Sequence, residues 1–501
     1  MSSKNVEYAD VIVVGGGPAG STLAALVAMQ GHRVVVLEKE KFPRHSIGES
    51  LLPSTVHGVC RLTGVAEELE KAGFVRKRGG TYRWGANPGL WTFSFSLSPK
   101  IASPVSYSYQ VERSKFDNIL LTHARKTGAD VRENSPVTSV IHDEERVAGV
   151  SYTDANGNNG EIYAKYVVDA SGNQSRIYKE VGGSRKYSEF FRSIALYGYF
   201  EGGKRLPPPN SGNILSVAFE SGWFWYIPLG DNLTSVGAVV RREMAEKVQG
   251  DPEKALMSLI EECPMIREYL QHASRITTGD YGRLRTRKDY SYHNTSFWRP
   301  GMALIGDAAC FVDPVFSTGV HLATYSALLV ARSINSTLAN IVDEESAFHE
   351  FEQRYRREYN AFYEYLMCFY DMHVDENSYF WSAKKITNST SSDLEAFVTL
   401  VAGGFSDEAG LIDAATLVDH FKSRSDAYAS AVDELVAENE QSMLPIFSSA
   451  VVEDATGEGA KIMSLAAPGA GKRQGQGRRR ESPLFYGGLI PSVDGMFWSR
   501  A

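Results

Sequence analysis

The stretch that most constrains this chain lies at its start. Residues 10–37 read DVIVVGGGPAGSTLAALVAMQGHRVVVL, an apolar strand, a glycine turn, an apolar helical run and a second apolar strand. The turn has the form Gly15-x-Gly17-x-x-Gly20, with Ala19 inside it. The chain holds 45 glycines in 501 residues. At that composition three glycines so spaced arise somewhere by chance with odds of about 0.4, so the motif alone decides little. Its setting decides more. A strand precedes it, a helix follows, and RVVVLEKE supplies a second strand ending near Glu38. In the dinucleotide fingerprint the glycines admit a pyrophosphate to the helix N-terminus and the acid takes ribose hydroxyls. Gly15, Gly17, Ala19, Gly20 and Glu38 are therefore candidate cofactor residues in an α/β, Rossmann-like domain.

Length and composition bound the rest. A chain of 501 residues is too long for one simple core, and two or three domains are expected. A net charge of -8 argues against a general nucleic-acid binder. No apolar run of about 18 residues suggests a spanning helix, and the polar N-terminus MSSKNVEYAD is unlike a signal peptide. Cys60, Cys263, Cys310 and Cys368 lie far apart, without zinc spacing or a disulfide framework. Free thiols, no metal, no membrane and a cytoplasmic location are the expectations.

Three later segments select FAD over NAD. QVERSKFD places Arg113 at a helix start, VVDASGNQSR gives a strand followed by Asp169-x-x-Gly172, and GMALIGDA ends a strand in Gly306-Asp307. This order resembles the flavoprotein monooxygenases of the para-hydroxybenzoate hydroxylase type, in which such a Gly-Asp carboxylate meets the FAD ribose or ribityl chain. After Asp307 comes AACFVDPVFSTGVHLATYSALLVARSINSTL, with Pro314 and the Ser317-Thr318-Gly319 turn breaking the chain before a long helix from about Val320. A helix start carries partial positive charge and unpaired N–H groups. It suits the flavin edge or a halide ion. Simple N-capping accounts equally for Ser317 and Thr318. His321, one turn into the helix, reads as a packed or solvated residue rather than a catalyst. Only one dinucleotide fingerprint is found, and nothing marks a dedicated NAD(P)H domain.

Residues 222–229 separate hydroxylation from other flavin chemistry. They read GWFWYIPL, with Trp223 and Trp225 on one side of a strand. Fixing Ile227 and Pro228 behind the pair makes a chance match of the order of 10⁻⁴. Trp223-x-Trp225-x-Ile227-Pro228 matches the W-x-W-x-I-P signature of the flavin-dependent halogenases. The resemblance runs from about residue 8 to about 390. FPRHSIGESLLPSTVHG, KRGGTYRWG, NSYFWSAKKI and GDAACFVDPVFSTGVHLA are similar to the subgroup acting on phenols and pyrroles. The pattern looks most like the chlorinases of a β-tyrosyl unit carried on a peptidyl carrier protein in enediyne antibiotic biosynthesis.

That resemblance implies a chemistry. Reduced FAD reacts with O2, and the flavin C4a-hydroperoxide oxidises chloride to hypochlorous acid. Two indoles wall the aromatic substrate from the flavin while a small ion passes; the plainer reading is two buried core tryptophans. The halogenase lysine falls here in Phe74-x-x-Lys77-x-Gly79-Gly80. Lys77 hydrogen-bonds hypochlorous acid or forms a chloramine, the latter needing a pKa lowered by burial or by Arg76 and Arg78. Ser317, Thr318 and Gly319 are the candidate halide residues, and Glu49 in SIGES belongs beside the flavin. The glutamate that assists the lysine of tryptophan halogenases has no counterpart here, which agrees with an electron-rich phenol. A separate NAD(P)H-dependent flavin reductase and a carrier protein are the implied partners. The alternative is an FAD-dependent aromatic hydroxylase.

The expected organisation is discontinuous. Residues 1–80, 131–184 and 286–345 form the FAD domain. Residues 81–130 and 185–285, with alternating stretches such as SIALYGYFEG and TSVGAVVRR, form an antiparallel substrate-side sheet. Residues 346–501 are mainly helical, with an aromatic amphipathic helix over 346–373 that reads as core or channel lining. Residues 391–447 look helical, a Gly-rich basic linker spans 467–482, and the apolar tail PLFYGGLIPSVDGMFW is placed to fold back. Lys472–Arg480 or Lys204-Arg205 are candidate docking charges for an acidic carrier, or simply solvated runs.

Overall fold

The computed structural model describes residues 6–84, 89–98, 106–288, 290–371, 393–404 and 483–500. Strand β1 (Val6–Val14) leads into helix α1 (Pro18–Ala28) and returns as β2 (Val34–Leu37). Pro18 opens the helix, where its missing N–H costs nothing. Every α1 side chain is buried, as suits a helix of Ala, Leu and Val with no polar face. β1 pairs in parallel with β2 and with the strand Asn159–Asp169, which pairs in parallel with Met302–Leu304. Asp130–Arg132 extends the β2 edge. The registers set Val14 beside Asp169 and Asp169 beside Leu304. Gly15, Ala170 and the Ile305-Gly306 pair thus emerge together at the carboxyl rim, where open α/β sheets bind ligands.

A second sheet carries the tryptophan motif. Its order is Ser274–Arg275, Ser193–Glu201, Leu233–Arg241, Gly222–Pro228, Ile214–Phe219, Gly79–Arg83 and Trp91–Ser94, with Arg285–Lys288 also pairing to Ser193–Glu201. It is antiparallel except where Ile214–Phe219 meets Gly79–Arg83. Two expected boundaries shift. Helix Arg113–Lys126 buries Phe116, Leu120, Leu121 and Ala124 and packs on α1, and Asp130–Arg132 joins β2. Residues 113–130 therefore belong with the nucleotide sheet, because their apolar face has α1 to cover. Strand pairing also carries the second sheet past residue 285 to Lys288.

The central helix, Thr318–Leu338, is buried along nearly its whole length; it begins two residues before the expected Val320. The long helix Glu344–Asp371 packs on it and sends Phe348, Phe351, Tyr355, Phe362, Tyr365 and Phe369 into the core. Its aromatic stripe is mostly core. The tail does fold back, as the hairpin Leu489–Pro491 and Trp498–Arg500. Trp498 is fully buried, with the guanidinium groups of Arg332 and Arg354 each 5.2 Å from its ring. The basic linker over 467–482, Lys472–Arg480, NSYFWSAKKI and most of 391–447 lie outside the described residues, which there include only a helix at Asp393–Val401 and the following residues to 404. Cys60, Cys263 and Cys310 are free and buried. Among the described residues no helix is long and apolar enough to cross a membrane, and no cluster of His, Cys, Asp and Glu suits a metal ion.

Candidate active site

The carboxyl rim of the first sheet has the shape a dinucleotide needs. Gly15 has φ +105°, and a Cβ there would lie 2.6 Å from the Ala170 carbonyl oxygen. A Cβ on Gly20 would lie 1.9 Å from the Gly15 carbonyl oxygen. Both positions are closed to larger residues. Gly17 caps α1 without a side chain, so no side-chain acceptor occupies the first helical amides. Ala19 packs under Gly306, whose φ is +57° and whose added Cβ would meet it at 3.2 Å. The buried Glu38 accepts from Gly16 N at 2.6 Å and from Glu40 N at 2.8 Å, so its carboxylate stands at the glycine turn.

Polar groups without partners line the same region. Glu49 is buried; its Oε1 accepts from the Tyr199 hydroxyl at 2.7 Å, while Oε2 has no hydrogen bond. Burial pushes its pKa up to about 7. Arg113 is held by Asp117 at 2.7 and 3.0 Å and also donates to the Ile47 and Gly48 carbonyls. It thereby fixes the loop that carries Glu49. Asp307 is partly buried, and desolvation raises it to about 6 against the pull of Arg113, Arg287 and Arg185. Arg185 lies between the Tyr178 and Tyr292 rings at 4.3 and 4.0 Å, with Nε and Nη2 buried and unbonded. Missing Cβ atoms, bare helix amides and unsatisfied donors and acceptors together fit FAD. Residues 15–20, Glu38, Glu49, Arg113 and Asp307 are the ones that would hold it.

Lys77 ends a strand of a separate two-stranded sheet, two residues before Gly79–Arg83 of the second sheet. The strand Val75–Lys77 pairs with Ser108–Gln110, Lys77 opposite Ser108. Strand alternation turns Arg76 and Arg78 outward and Lys77 inward, where it is 2 % exposed. Its Nζ donates to the Leu51 carbonyl at 3.1 Å and to Ser317 Oγ at 3.3 Å, and lies 5.5 Å from the Phe95 ring centre. Burial lowers its pKa from 10.5 to about 7. The flanking arginines, expected to contribute, do not face it. Asn213 holds the turn that follows by accepting from Arg78 N and Gly79 N at 3.0 and 2.8 Å. Gly79 is required there because a Cβ would fall 1.7 Å from the Phe93 carbonyl oxygen.

The halide candidates cluster at the start of the central helix. Ser317 caps it with φ +63°, a left-handed conformation for a residue with a side chain, and is the acceptor for Lys77. Thr318 Oγ1 donates to the Asp313 carbonyl at 3.4 Å, and Gly319 leaves room for Phe311. Four residues on, His321 is wholly buried. Its Nδ1 meets Ser54 Oγ at 2.9 Å and its Nε2 meets Glu358 Oε1 at 2.8 Å. It is packed, not solvated, and it ties the long helix to the loop that bears Leu51.

The two tryptophans do different things. Their ring centres are 6.2 Å apart. Trp225 lies over Gly237, where a Cβ would approach the indole to 2.2 Å. Its Nε1 donates to Ser235 Oγ at 3.2 Å, on the side of Tyr197 and Glu49. Trp223 turns instead toward Trp84, 6.1 Å away, and its buried Nε1 has no hydrogen bond. Both indoles are thus buried in the core, as the plainer reading expects. The sequence reading missed Asn213, Tyr199 and Arg185, which carry no motif; the polar cap of a tight turn was the only signal for Asn213. The proposed carrier contact at Lys204-Arg205 is not free: Lys204 pairs with Glu268 at 2.6 Å, and Arg205 bonds Thr234 Oγ1 and the Gly230 carbonyl.

Fold and site define an FAD-dependent oxidoreductase. The chain matches the tryptophan halogenase family over residues 10–102 and 97–442, and it belongs to that family of flavin-dependent halogenases. It is 33% identical over 404 residues to a tryptophan 2-halogenase of Chondromyces crocatus, covering 78% of this chain and 75% of that one. It is 35% identical over 379 residues to the flavin-dependent halogenase gsfI of Penicillium aethiopicum, covering 70% and 69%. The solved myxobacterial chondrochloren halogenase CndH is 49% identical, with TM-score 0.74 over 98% of this chain and all (100%) of that one. The flavin-dependent halogenase CmlS is 30% identical, with TM-score 0.68 over 91% and 78%.

Proposed function

We propose that this enzyme chlorinates a phenolic ring, a β-tyrosyl group borne by a peptidyl carrier protein in enediyne-type antibiotic biosynthesis, with Lys77 delivering the chlorine. The observation that carries the reading is a lysine buried beside the start of the central helix, on the same loop-and-helix corner that offers bare amides to an anion. When bound, reduced FAD supplies with O2 the oxidising power that turns chloride into hypochlorous acid; a separate NAD(P)H-dependent reductase provides the reduced flavin. Ser317, Thr318 and Gly319 seat the chloride through the helix N-terminus. Trp223 and Trp225 fill the strand between Glu49 and the far side and keep an aromatic ring off the flavin. Lys77, with its pKa near 7, is about half free amine at neutral pH, so it can take Cl⁺ from hypochlorous acid as a chloramine and hand it to the ring, releasing water.

The test is direct. Purified protein with a flavin reductase, NADH, O2 and chloride should chlorinate carrier-bound β-tyrosine, read by intact-carrier mass spectrometry, in preference to the free amino acid. A hydroxylated product without chlorine, formed with NAD(P)H and no reductase, overturns the reading in favour of a hydroxylase.

A further inference from the structure

The loop that precedes the central helix holds a second buried polar group. Asp313 is 1 % exposed. Its Oδ1 accepts from Val315 N at 3.0 Å and from the Tyr370 hydroxyl at 3.0 Å. The first bond is a local turn closure and needs no further role. The surroundings do. Tyr290 and Trp223 turn a buried hydroxyl and a buried indole N–H into this region, and neither forms a hydrogen bond. Tyr290 neighbours Asp313, Tyr370 and the Ser193 side chain, and the Trp223 N–H faces the Tyr370 hydroxyl. Leaving two such donors dry costs roughly 1–3 kcal/mol each, a cost that bonding to a bound oxygen removes.

What already sits there is a phenol. The Tyr370 ring stands against Trp84 and Phe191, each 5.4 Å away between ring centres, and 6.3 Å from Phe190, whose side is exposed to solvent. Its hydroxyl rests on a buried carboxylate. Asp313 lies four residues before Ser317, the acceptor for Lys77. Trp223 is shared between this cluster and the tryptophan pair. We propose that Asp313 accepts the hydroxyl proton of the phenolic substrate, that Trp223 and Tyr290 hold the resulting phenolate oxygen, and that Tyr370 occupies this place in the substrate-free enzyme. The proposal rests on the phenol-chlorinating reading above and adds its base.

The chemistry balances. The substrate O–H proton moves to the Asp313 carboxylate, leaving a phenolate. An ortho carbon attacks the chlorine of hypochlorous acid, or of its Lys77 adduct; the C–Cl bond forms as the Cl–O or Cl–N bond breaks. The released hydroxide, or the lysine amide, takes the proton from the Asp313 carboxyl. The ring C–H proton then returns to oxygen, so phenol and hypochlorous acid give chlorophenol and water. Only Tyr290 and Tyr370 are titratable groups facing Asp313 among the described residues; burial, with no cation opposing it, holds its pKa up at about 7. That value suits a base acting at neutral pH.

Two substrates separate a base from a structural prop: the phenol and its methyl ether, which has no proton to give. For Asp313→Asn, the chlorination ratio of phenol to ether should fall at least tenfold below that of the wild-type enzyme. The deficit should shrink as pH approaches the phenol's own pKa. An unchanged ratio, whatever the absolute rates, overturns the proposal. A second measurement needs no Asp313 variant. In Tyr370→Phe, ultraviolet difference spectra of bound phenol should show phenolate at a pH below the phenol's solution pKa, with tighter binding than in the wild-type enzyme. A neutral-phenol spectrum overturns it equally. Failure of the underlying reading looks different: wild-type enzyme that chlorinates neither compound.

Discussion

In the proposed reaction, Lys77 is where the chemistry turns on one proton. A lysine in water is almost wholly ammonium at neutral pH, and an ammonium has no lone pair for chlorine. Desolvation moves that balance, lowering the pKa from 10.5 to about 7. The amine fraction therefore grows as pH rises through 7, and chlorination should rise with it, up to the alkaline limit of the other groups. A pH–rate profile of the product checks this. Lys77→Arg keeps charge and donors but cannot lose its proton. We expect a loss of at least tenfold in chlorination, measured by mass spectrometry, while hypochlorous acid is still trapped in solution. If donors alone sufficed, the arginine would retain most of the rate. Ser317→Ala tests the same residue from its partner. Removing an acceptor from the ammonium form favours the free amine, so the midpoint of the profile should move to lower pH, with stability changed by no more than about 1 kcal/mol.

At the scale of elements, the site is made by one helix start meeting one loop. The central helix brings Ser317 to Lys77 and, a turn later, His321 to Ser54 and Glu358. The long helix supplies Glu358. A His fully enclosed between a hydroxyl and a carboxylate locks three elements together, and removing one member leaves a buried polar atom dry. Glu358→Leu should cost about 2–4 kcal/mol, read from denaturant unfolding, and Glu358→Gln appreciably less. Little of this was visible in the chain read as letters. The Rossmann-like unit was visible, because glycine spacing, strand and helix lie within 30 consecutive residues. The tryptophan pair and the lysine context were visible because short motifs carry them. Glu358, Asn213 and Asp313 act through partners 37, 134 and 57 residues away, and no local pattern encodes such a meeting. The arginines beside Lys77 misled for the opposite reason. Adjacent in sequence, they point the other way once the segment is a strand.

For the whole molecule the question is what the buried charges cost and when. Glu49 and Asp313 are raised by burial to about 7 and Asp307 to about 6. Between their ordinary values near 4 and these values, the native state holds more protons than the unfolded chain, so each group lowers stability as pH rises across that window. His45 and His57, lowered by burial to about 4, act in the opposite sense between about 4 and 6.5, because there the unfolded chain holds the extra proton. Lys77 likewise adds stability as pH rises from about 7 toward 10.5. The sum over all groups is not the useful quantity; differences between variants are. Melting temperature of the cofactor-free protein, followed from pH 5 to pH 8, should fall less steeply in Asp313→Asn and Glu49→Gln than in the parent, each variant gaining most at the upper end. Lys77→Met should lose the parent's relative gain above pH 7. A parallel pair of curves for parent and Glu49→Gln would mean that the carboxylate is ionised in the native fold throughout, and that the space around its free Oε2 is wet rather than kept for the cofactor.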